Sequence, residues 1–453
     1  MLEWPEADRR PLLLAAGLGA VLALVVLVQP FPQAAVAAAA TAVGVLGLAN
    51  RRLLLYLVPP AVALSPEIPV LGIPVRVEDL LMVPLVAGWA AHLLIYQDRR
   101  GTPLDRLLVG YATVGVVATV WGGLLGTAHF FTTNPLFSGP FHVLKRIEFV
   151  LLFLILADTL GTVAQARRFA YLVLASLAGL EVFALATFLS TRYLALAPAG
   201  SPVHEPGLAG MLIVALGLGL FPAASRGLKA GLAVLMLFSL GILPLTLGRN
   251  FTATTALVIA YVGLTQQRWA LALLPVPWLV VRYLYPEHVL ERLLSLQYLL
   301  TPDVTGGATQ GAALLSRVIP PGYHGLLALG YSPLLGFGLA SRPLGAIDSE
   351  YATQLFYTGL VGLALFLTLG RQLFRMAAQA RVWAGDPSAQ SLARGLQLAL
   401  AAYAVFSIFS PSISAARAGG VFFLLAGVLA VLHRAGVDEA AGASSRGARA
   451  LRG

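Results

Sequence analysis

Charged residues are scarce in this chain. Asp, Glu, Lys and Arg make up 11% of its 453 residues, hydrophobic residues make up 58%, and cysteine is absent. Soluble globular domains carry about 25% charged residues, so this composition, with a mean hydropathy of +0.83, excludes the soluble globular class. The lack of cysteine excludes a disulfide framework and a thiolate metal site. No polar block of domain size interrupts the apolar runs, which indicates one membrane domain.

Apolar runs of membrane-crossing length recur along the whole chain. They predict an all-α polytopic integral membrane protein with about 14 transmembrane helices, the first of which is a retained helix and not a signal peptide. Residues 1–435 form the predicted membrane domain, which includes a long external loop at 286–350 with short interfacial helices. Residues 436–453 are predicted to form a disordered cytoplasmic tail. The predicted spans are 11–28, 32–50, 52–64, 78–96, 104–126, 143–159, 166–190, 206–222, 228–247, 250–264, 268–285, 352–372, 392–410 and 416–434.

Basic residues follow this alternation. The net charge is +10, but Lys and Arg fall in short clusters in every second connection, which is the positive-inside pattern and not a nucleic-acid-binding face. Both termini are therefore predicted to be cytoplasmic. A set of cations remains on the predicted outer side, where cations in or beside apolar helices usually have an anionic partner or ligand. These are Arg76, Lys145, Arg146, Arg192, Arg249, Arg282, Arg292, Arg317, Arg342 and Arg417.

Three of these arginines are candidate anion-binding residues. Arg249, in LPLTLGRNFTATTAL, lies between two apolar runs, where its planar fork either grips a phosphate or snorkels to the membrane interface. Arg317 begins a short amphipathic segment. Taken alone, it can be explained equally well as an anion-binding residue or as a solvated charge in a loop. Arg146, in FHVLKRIEF, forms either an intramembrane pair with Glu148 or half of a diphosphate clamp.

Two carboxylates open the apolar stretch DSEYATQLFYTGLVGLALF. Asp348 as N-cap and Glu350 in the first turn complement the helix dipole, and either one is also placed to act as a general base toward a sugar hydroxyl. On a helix, Glu350 and Gln354 share a face. No spacing of His, Asp or Glu supports a metal site, and no cofactor is expected.

Further residues on the predicted outer side are candidates for glycan or acceptor binding. They are Tyr351, His204, Glu205 and Tyr323, of which His204 and Glu205 are equally well explained as helix-capping and surface residues.

The order of three segments resembles the O-antigen ligase and polymerase family. The first segment, LGRN, resembles the Ser-Arg-Gly helix of this family. The second, SRVIPPGYHGLLALGYSPLLGFGLAS, resembles the family's Arg segment, which is followed by Pro-Leu-x-Gly-x-Gly. The third, DSEYATQLFYTGLVGLALF, resembles the family's next helix, which contains Gly-x-x-Gly. The resemblance covers roughly residues 200 to 375. It implies a bacterial inner-membrane enzyme that transfers glycans from undecaprenyl diphosphate at the external face, without metal and with inversion at the anomeric carbon.

The resemblance also implies roles for residues. Arg249 and Arg317, with Arg146, would bind the donor diphosphate, and Asp348 or Glu350 would take the acceptor proton. Asp348 stands where ligases usually have His, and Ser332 replaces a second His, which favours a polymerase of the Wzy type. Its partners would be lipid-linked donor and acceptor oligosaccharides, the bilayer and a chain-length regulator, with no nucleic acid.

Two alternatives remain open. A ligase would transfer the glycan to a lipid A core or to protein, and a transporter of lipid-linked glycans would also have many helices and an arginine-lined cavity. Transporters more often contain internal repeats with interrupted helices, and no repeat relates the two halves of this sequence.

Overall fold

The structure is a computed structural model. It describes residues 50–65, 68–70, 73–126, 138–191, 205–246, 249–284, 325–339, 341, 347, 349–383 and 385–450, and the backbone alone at 138–140, 190, 191, 249, 284 and 440–450. The predicted spans at 11–28 and 32–50 lie outside the described residues.

The described chain is mostly helical. Its α-helices are α1 Arg51–Leu64, α2 Val77–Tyr96, α3 Asp105–Leu124, α4 Ser138–Thr159, α5 Val163–Thr191, α6 Glu205–Leu220, α7 Arg226–Ile242, α8 Arg249–Thr265, α9 Val276–Leu284, α10 Glu350–Trp383, α11 Pro387–Phe406 and α12 Ala416–Ala450. Short 3-10 turns cover Phe221–Ala223, Leu243–Thr246 and Arg268–Leu273. A further helical turn covers 325–331. Between α1 and α2, β1 Ile68–Val70 pairs antiparallel with β2 Ile73–Val75.

Seven helices in the described part of the chain are long and apolar enough to cross a membrane: α2, α3, α5, α6, α7, α10 and α12. This confirms a helical membrane protein, although the count of 14 spans is not confirmed. The predicted span at 268–285 is divided into a 3-10 turn and the nine-residue α9. Pro275 and Pro277 explain the division, because proline lacks the amide hydrogen that a helix interior needs.

Helix α6 lies at the centre of the bundle, and its residues are buried on all sides. It packs against α5, α7, α8 and α11. Glycine allows the closest of these approaches, since a Cβ atom at Gly219 would overlap the backbone of Gly395 on α11. In a membrane such small-residue contacts replace the hydrophobic effect as the source of helix association.

One end of the bundle is held by Asp158 at the C-terminus of α4. Its carboxylate accepts hydrogen bonds from Trp89 Nε1 at 3.0 Å and from the Arg100 amide at 2.8 Å. Arg434 of α12 donates to the carbonyl oxygens of Ala157 and Leu160 at 2.8 and 2.7 Å, which satisfies carbonyls that the end of α4 leaves without helical partners. We call this the Asp158 end. Its Arg100 and Arg434 belong to the basic clusters that the positive-inside pattern predicts to be cytoplasmic.

Two features differ from the sequence prediction. The short β-hairpin between α1 and α2 was not predicted, and α12 continues to Ala450, past residue 436, where a disordered tail was expected. The tail is rich in alanine and contains no proline, which favours continuation of the helix.

Candidate functional site

Charged side chains converge at the opposite end of the bundle, where α2, α6, α10 and α12 begin and α1 ends. We call this group the Arg146 cluster. Its described members are Ser65, Arg76, Glu78, Asp79, Lys145, Arg146, Glu148, Glu205, Glu350, Gln354, Ser414 and Arg417. Four of the outer-side cations identified in the sequence therefore lie together.

Three of these four cations have carboxylate partners. Lys145 of α4 pairs with Asp79 of α2 and, at 3.1 Å, with Glu148 on its own helix. Glu148 is therefore the partner of Lys145, and among the described residues it forms no ion pair with Arg146.

The other two pairs join the ends of α1, α2, α6 and α12. Arg76 lies 3.7 Å from Glu78, whose Oε2 accepts a 2.6 Å hydrogen bond from Ser65 Oγ. Arg417 pairs with Glu205 and donates to the Ser65 carbonyl oxygen. These contacts confirm the expectation that cations at this end have anionic partners.

Arg146 differs from the other three. Its side chain is buried, with 8% of its surface exposed, and it forms no ion pair with any carboxylate that the structure describes. Nη2 donates to Gln354 Oε1 at 3.0 Å, and the guanidinium carbon lies 4.3 Å from the centroid of the Tyr111 ring. Nη1 is buried and has no hydrogen-bond partner within the described chain. Arg146 thus keeps one donor group available for an anionic oxygen.

The position of Arg146 along α4 places it deep in the bundle. It precedes Asp158 by 12 residues, which is about 18 Å along the helix axis. A helix that crosses roughly 30 Å of hydrocarbon extends beyond 18 Å, so the distance from Arg146 to the Asp158 end is shorter than a membrane crossing. A permanently charged group at that depth, buried in protein and incompletely hydrogen bonded, is a default candidate for a functional residue.

Glu350 holds Gln354 in place. Its carboxylate is 0% exposed and receives four hydrogen bonds: Gln354 Nε2 and Ser414 Oγ donate to Oε1, both at 2.7 Å, and the amides of Ile413 and Ser414 donate to Oε2 at 3.0 and 3.1 Å. The Gln354 contact confirms the predicted shared helix face. Because four donors occupy its carboxylate oxygens, Glu350 is arranged to orient Gln354 and through it Arg146.

The segment SPLLGFG is inserted into a break in α10. In a regular helix the Phe356 carbonyl would accept from the Leu360 amide. Instead, the Phe337 amide donates to the Phe356 carbonyl at 2.9 Å, and the Leu360 amide donates to the Pro333 carbonyl at 2.8 Å. The next pair is exchanged in the same way. The Gly338 amide donates to the Tyr357 carbonyl at 2.9 Å and the Val361 amide to the Leu334 carbonyl at 3.2 Å.

Three glycines make this insertion possible. Gly336, Gly338 and Gly359 have φ values of +66°, +87° and +64°, in the region that L side chains rarely adopt. Each also faces backbone at close range. A Cβ atom at Gly336 would lie 2.5 Å from the Phe356 carbonyl oxygen, and one at Gly338 would lie 2.8 Å from the Ala118 carbonyl oxygen. The two glycine motifs that carry the family resemblance therefore form one interlocked structure.

Helix α3 supports the same segment. Trp121 Nε1 donates to Ser332 Oγ at 3.0 Å, and Thr119 Oγ1 accepts from the Leu339 amide at 3.1 Å. Four residues before Thr119, Gly115 gives the Arg146 side chain room to pack against α3. Helix α3 thus joins the inserted segment to the arginine.

The structure places only part of the predicted site. Asp348, Arg317, His204 and Tyr323 lie outside the described residues. Arg249 begins α8, and its side chain is not among those described.

The remaining predicted residues are accounted for. Arg146, Glu350 and Glu205 belong to the Arg146 cluster. Tyr351 packs away from it, since its hydroxyl donates to the Ala404 carbonyl oxygen at 3.0 Å and its ring contacts Phe366. These contacts give Tyr351 a packing role between α10 and α11.

Sequence reasoning missed several contributors, among them Ser65, Glu78, Asp79, Tyr111 and Ser414. Tyr111 appears in the sequence only as an aromatic residue in an apolar span, and Ser414 as part of a short polar connection. The helix spacing of Glu350 and Gln354 was the available signal for this part of the site. In the described chain no group of three or more His, Asp or Glu residues is arranged to hold a metal ion.

Comparison with known proteins assigns the chain to no family. No family model matches it, and no curated protein matches it either.

Proposed function

We propose that this protein is a polymerase of surface polysaccharide, such as O-antigen. It would join undecaprenyl-diphosphate-linked glycan repeat units by metal-independent, inverting glycosyl transfer at the external face of the bacterial inner membrane. The observation that carries the proposal is Arg146, whose Nη1 is buried without a hydrogen-bond partner among the described residues, at the end of the bundle where the two resembling glycine motifs interlock. A diphosphate leaving group needs such a donor as negative charge develops on it.

The balance of charges in the Arg146 cluster shows that a diphosphate site would need further cations. Its described side chains include four cations and five carboxylates, so the cluster has no surplus of positive charge. A diphosphate therefore requires cations beyond Arg146. Arg249 and Arg317 are the proposed additional ligands, in agreement with the resemblance. Three arginines then stabilise the leaving group in place of a divalent metal.

The acceptor hydroxyl needs a base, and we assign this role to Asp348. Glu350 is occupied by four hydrogen-bond donors and acts as the positioning residue for Gln354 and Arg146. In the reaction the acceptor oxygen attacks the anomeric carbon of the donor, its proton passes to the Asp348 carboxylate, and undecaprenyl diphosphate leaves with the bonding electron pair.

The proposal is tested by polymerisation with purified protein, a lipid-diphosphate-linked repeat unit and EDTA. Wild type should give a ladder of lengthened lipid-linked glycans, and Arg146→Gln should lower the rate roughly 10- to 100-fold, the value of one lost charge-assisted hydrogen bond. Arg99→Gln is the matched control, because Arg99 is an exposed residue of the Asp158 end that pairs with Asp105.

Other outcomes would replace the proposal. Transfer of glycan to a lipid A core without elongation identifies a ligase. Absence of both reactions with several repeat units, together with movement of the lipid-linked glycan across a vesicle membrane, identifies a transporter.

A further inference from the structure

Glu181 is a buried carboxyl group in α5 that the proposed transfer reaction does not use. It is 0% exposed and faces α6 and α7 inside the bundle. Ser239 of α7 lies 2.6 Å from Oε2, and Oε1 is buried with no hydrogen-bond partner in the described chain. On the α6 side Gly210 makes room for the carboxyl, since a Cβ atom there would lie 2.7 Å from Oε1.

Glu181 has no compensating cation among the residues that the structure describes. It forms no ion pair with any residue of the described chain. Arg417 of α12 is paired with Glu205 of α6, and Lys229 of α7 precedes Ser239 by ten residues, about 15 Å along that helix. The other charged and titratable groups on α5 and on α1, α6, α7, α11 and α12, which pack against it, are Arg51, Arg52, Tyr56, Arg167, Arg168, Tyr171, Arg226, Arg394, Tyr403, His433, Arg434, Asp438, Glu439, Arg446 and Arg449.

A metal ion does not fit the site. The described surroundings offer one carboxyl group and one hydroxyl, whereas Ca²⁺ takes six to eight oxygen ligands and Mg²⁺ about six. An ionised carboxylate with neither a metal nor an organic cation costs several kcal/mol in a low-dielectric interior, and the neutral acid avoids that cost.

We infer that Glu181 is a proton-binding site embedded in the membrane domain. In its loaded form the carboxylic acid donates from Oε2 to Ser239 Oγ, which fits the 2.6 Å separation. Release transfers the proton to water that enters between α5, α6 and α7 and leaves a carboxylate that those waters solvate. Occupancy of this site by a proton is thereby linked to the packing of the three helices, and this inference does not depend on the proposed glycosyl transfer.

The test is infrared spectroscopy of the full-length protein in lipid. Wild type at neutral pH should show a protonated-carboxyl C=O stretch that shifts in D₂O and is absent from Glu181→Gln. Ser239→Ala should move this band to higher frequency, because the acid loses its hydrogen-bond acceptor. Glu205→Gln is the matched control and should leave the band unchanged, since Glu205 is paired with Arg417.

Thermal stability gives a second readout. Glu181→Gln, a neutral variant of the same shape, should match wild type at neutral pH and exceed it at alkaline pH, where wild type must ionise the buried group. Identical infrared spectra for wild type and Glu181→Gln would overturn the inference. Two other results would also overturn the inference. The first is an unshifted band in Ser239→Ala, which decides the question if Glu181→Gln does not fold. The second is a Glu181→Gln protein that is less stable than wild type only at neutral pH.

Discussion

Gly115 of α3 lies directly against the side chain of Arg146 on α4: a Cβ atom at position 115 would be 2.8 Å from Cδ and 3.2 Å from Nη1 of the arginine. The guanidinium is thereby fixed between α3 and Gln354 of α10. The orientation of the unpartnered Nη1 depends on the absence of a side chain on a neighbouring helix.

Replacing this glycine should misplace the arginine without removing it. Gly115→Ala forces Arg146 to move by a few tenths of an ångström or more, so we expect at least a ~10-fold loss of glycan transfer, as misplacement of a binding group costs catalysis steeply. Gly110→Ala on the same helix is the control, because nothing lies within 4 Å of a Cβ atom there. Equal activity in the two variants would show that the position of Arg146 does not matter for transfer.

The break in α10 should be sensitive to a single methyl group. Gly359 has φ +64° and ψ −164°, and a Cβ atom there would overlap the Leu334 carbonyl. Gly359→Ala should destabilise the protein by about 2 to 5 kcal/mol, from backbone strain and overpacking together. Thermal unfolding in detergent measures the effect.

The same helix provides the control for Gly359→Ala. A Cβ atom at Gly370 has open space, so Gly370→Ala should be neutral or stabilising by up to ~1 kcal/mol. If Gly359→Ala unfolds at the same temperature as Gly370→Ala, α10 is not broken at this residue.

Glu350 should behave as a positioning residue. Glu350→Ala leaves the buried amide of Ile413 and the partly buried amide of Ser414 without their acceptor, at a cost of about 2 kcal/mol. Asp438→Asn, at an exposed position of α12, should have no such effect.

In Glu350→Gln the residual transfer activity should keep the acidic limb of its pH profile, since the base is another group. Loss of that limb would identify Glu350 as the base.

Asp386 should make stability depend on pH. Burial tends to raise the pKa of this carboxyl, but hydrogen bonds from the side chain and amide of Ser388 and the attraction of Arg167 outweigh burial and lower its pKa. A lowered folded-state pKa means that the stabilisation is present above the unfolded-state pKa and is lost as the pH falls through the folded-state value. Asp386→Asn keeps an N-cap acceptor but loses the charge, so it should be slightly less stable than wild type at neutral pH and equal to it in acid, as measured by thermal unfolding at the two pH values.

The sequence predicted the helical membrane class and several residues of the site, because these depend on local signals. Arg146 stood out as a cation in an apolar run, and Glu350 and Gln354 stood out by their helical spacing. The insertion of residues 333–338 into α10 was not predictable in this way. It depends on hydrogen bonds between backbone groups 19 to 27 residues apart in the chain, and the glycines that permit it, Gly336 and Gly359, resemble ordinary turn and packing glycines in the sequence.

The prediction of a single membrane span at 268–285 was wrong for a different reason. Hydropathy counts apolar side chains, whereas Pro275 and Pro277 act on the backbone. Tyr111 was missed because a tyrosine in a membrane helix has no sequence feature that distinguishes a cation-binding ring from a packing ring.

The exchanged hydrogen bonds of α10 also bear on how the protein assembles. Four backbone groups in the first three turns of this helix find their partners only in residues 333–338, which precede it in the chain. In lipid an unpaired backbone group costs several kcal/mol, so the broken form of α10 is stable in the bilayer only while residues 333–338 fill the break. A copy of α10 without that segment would have to close into a continuous helix, so the native shape of each motif depends on the presence of the other.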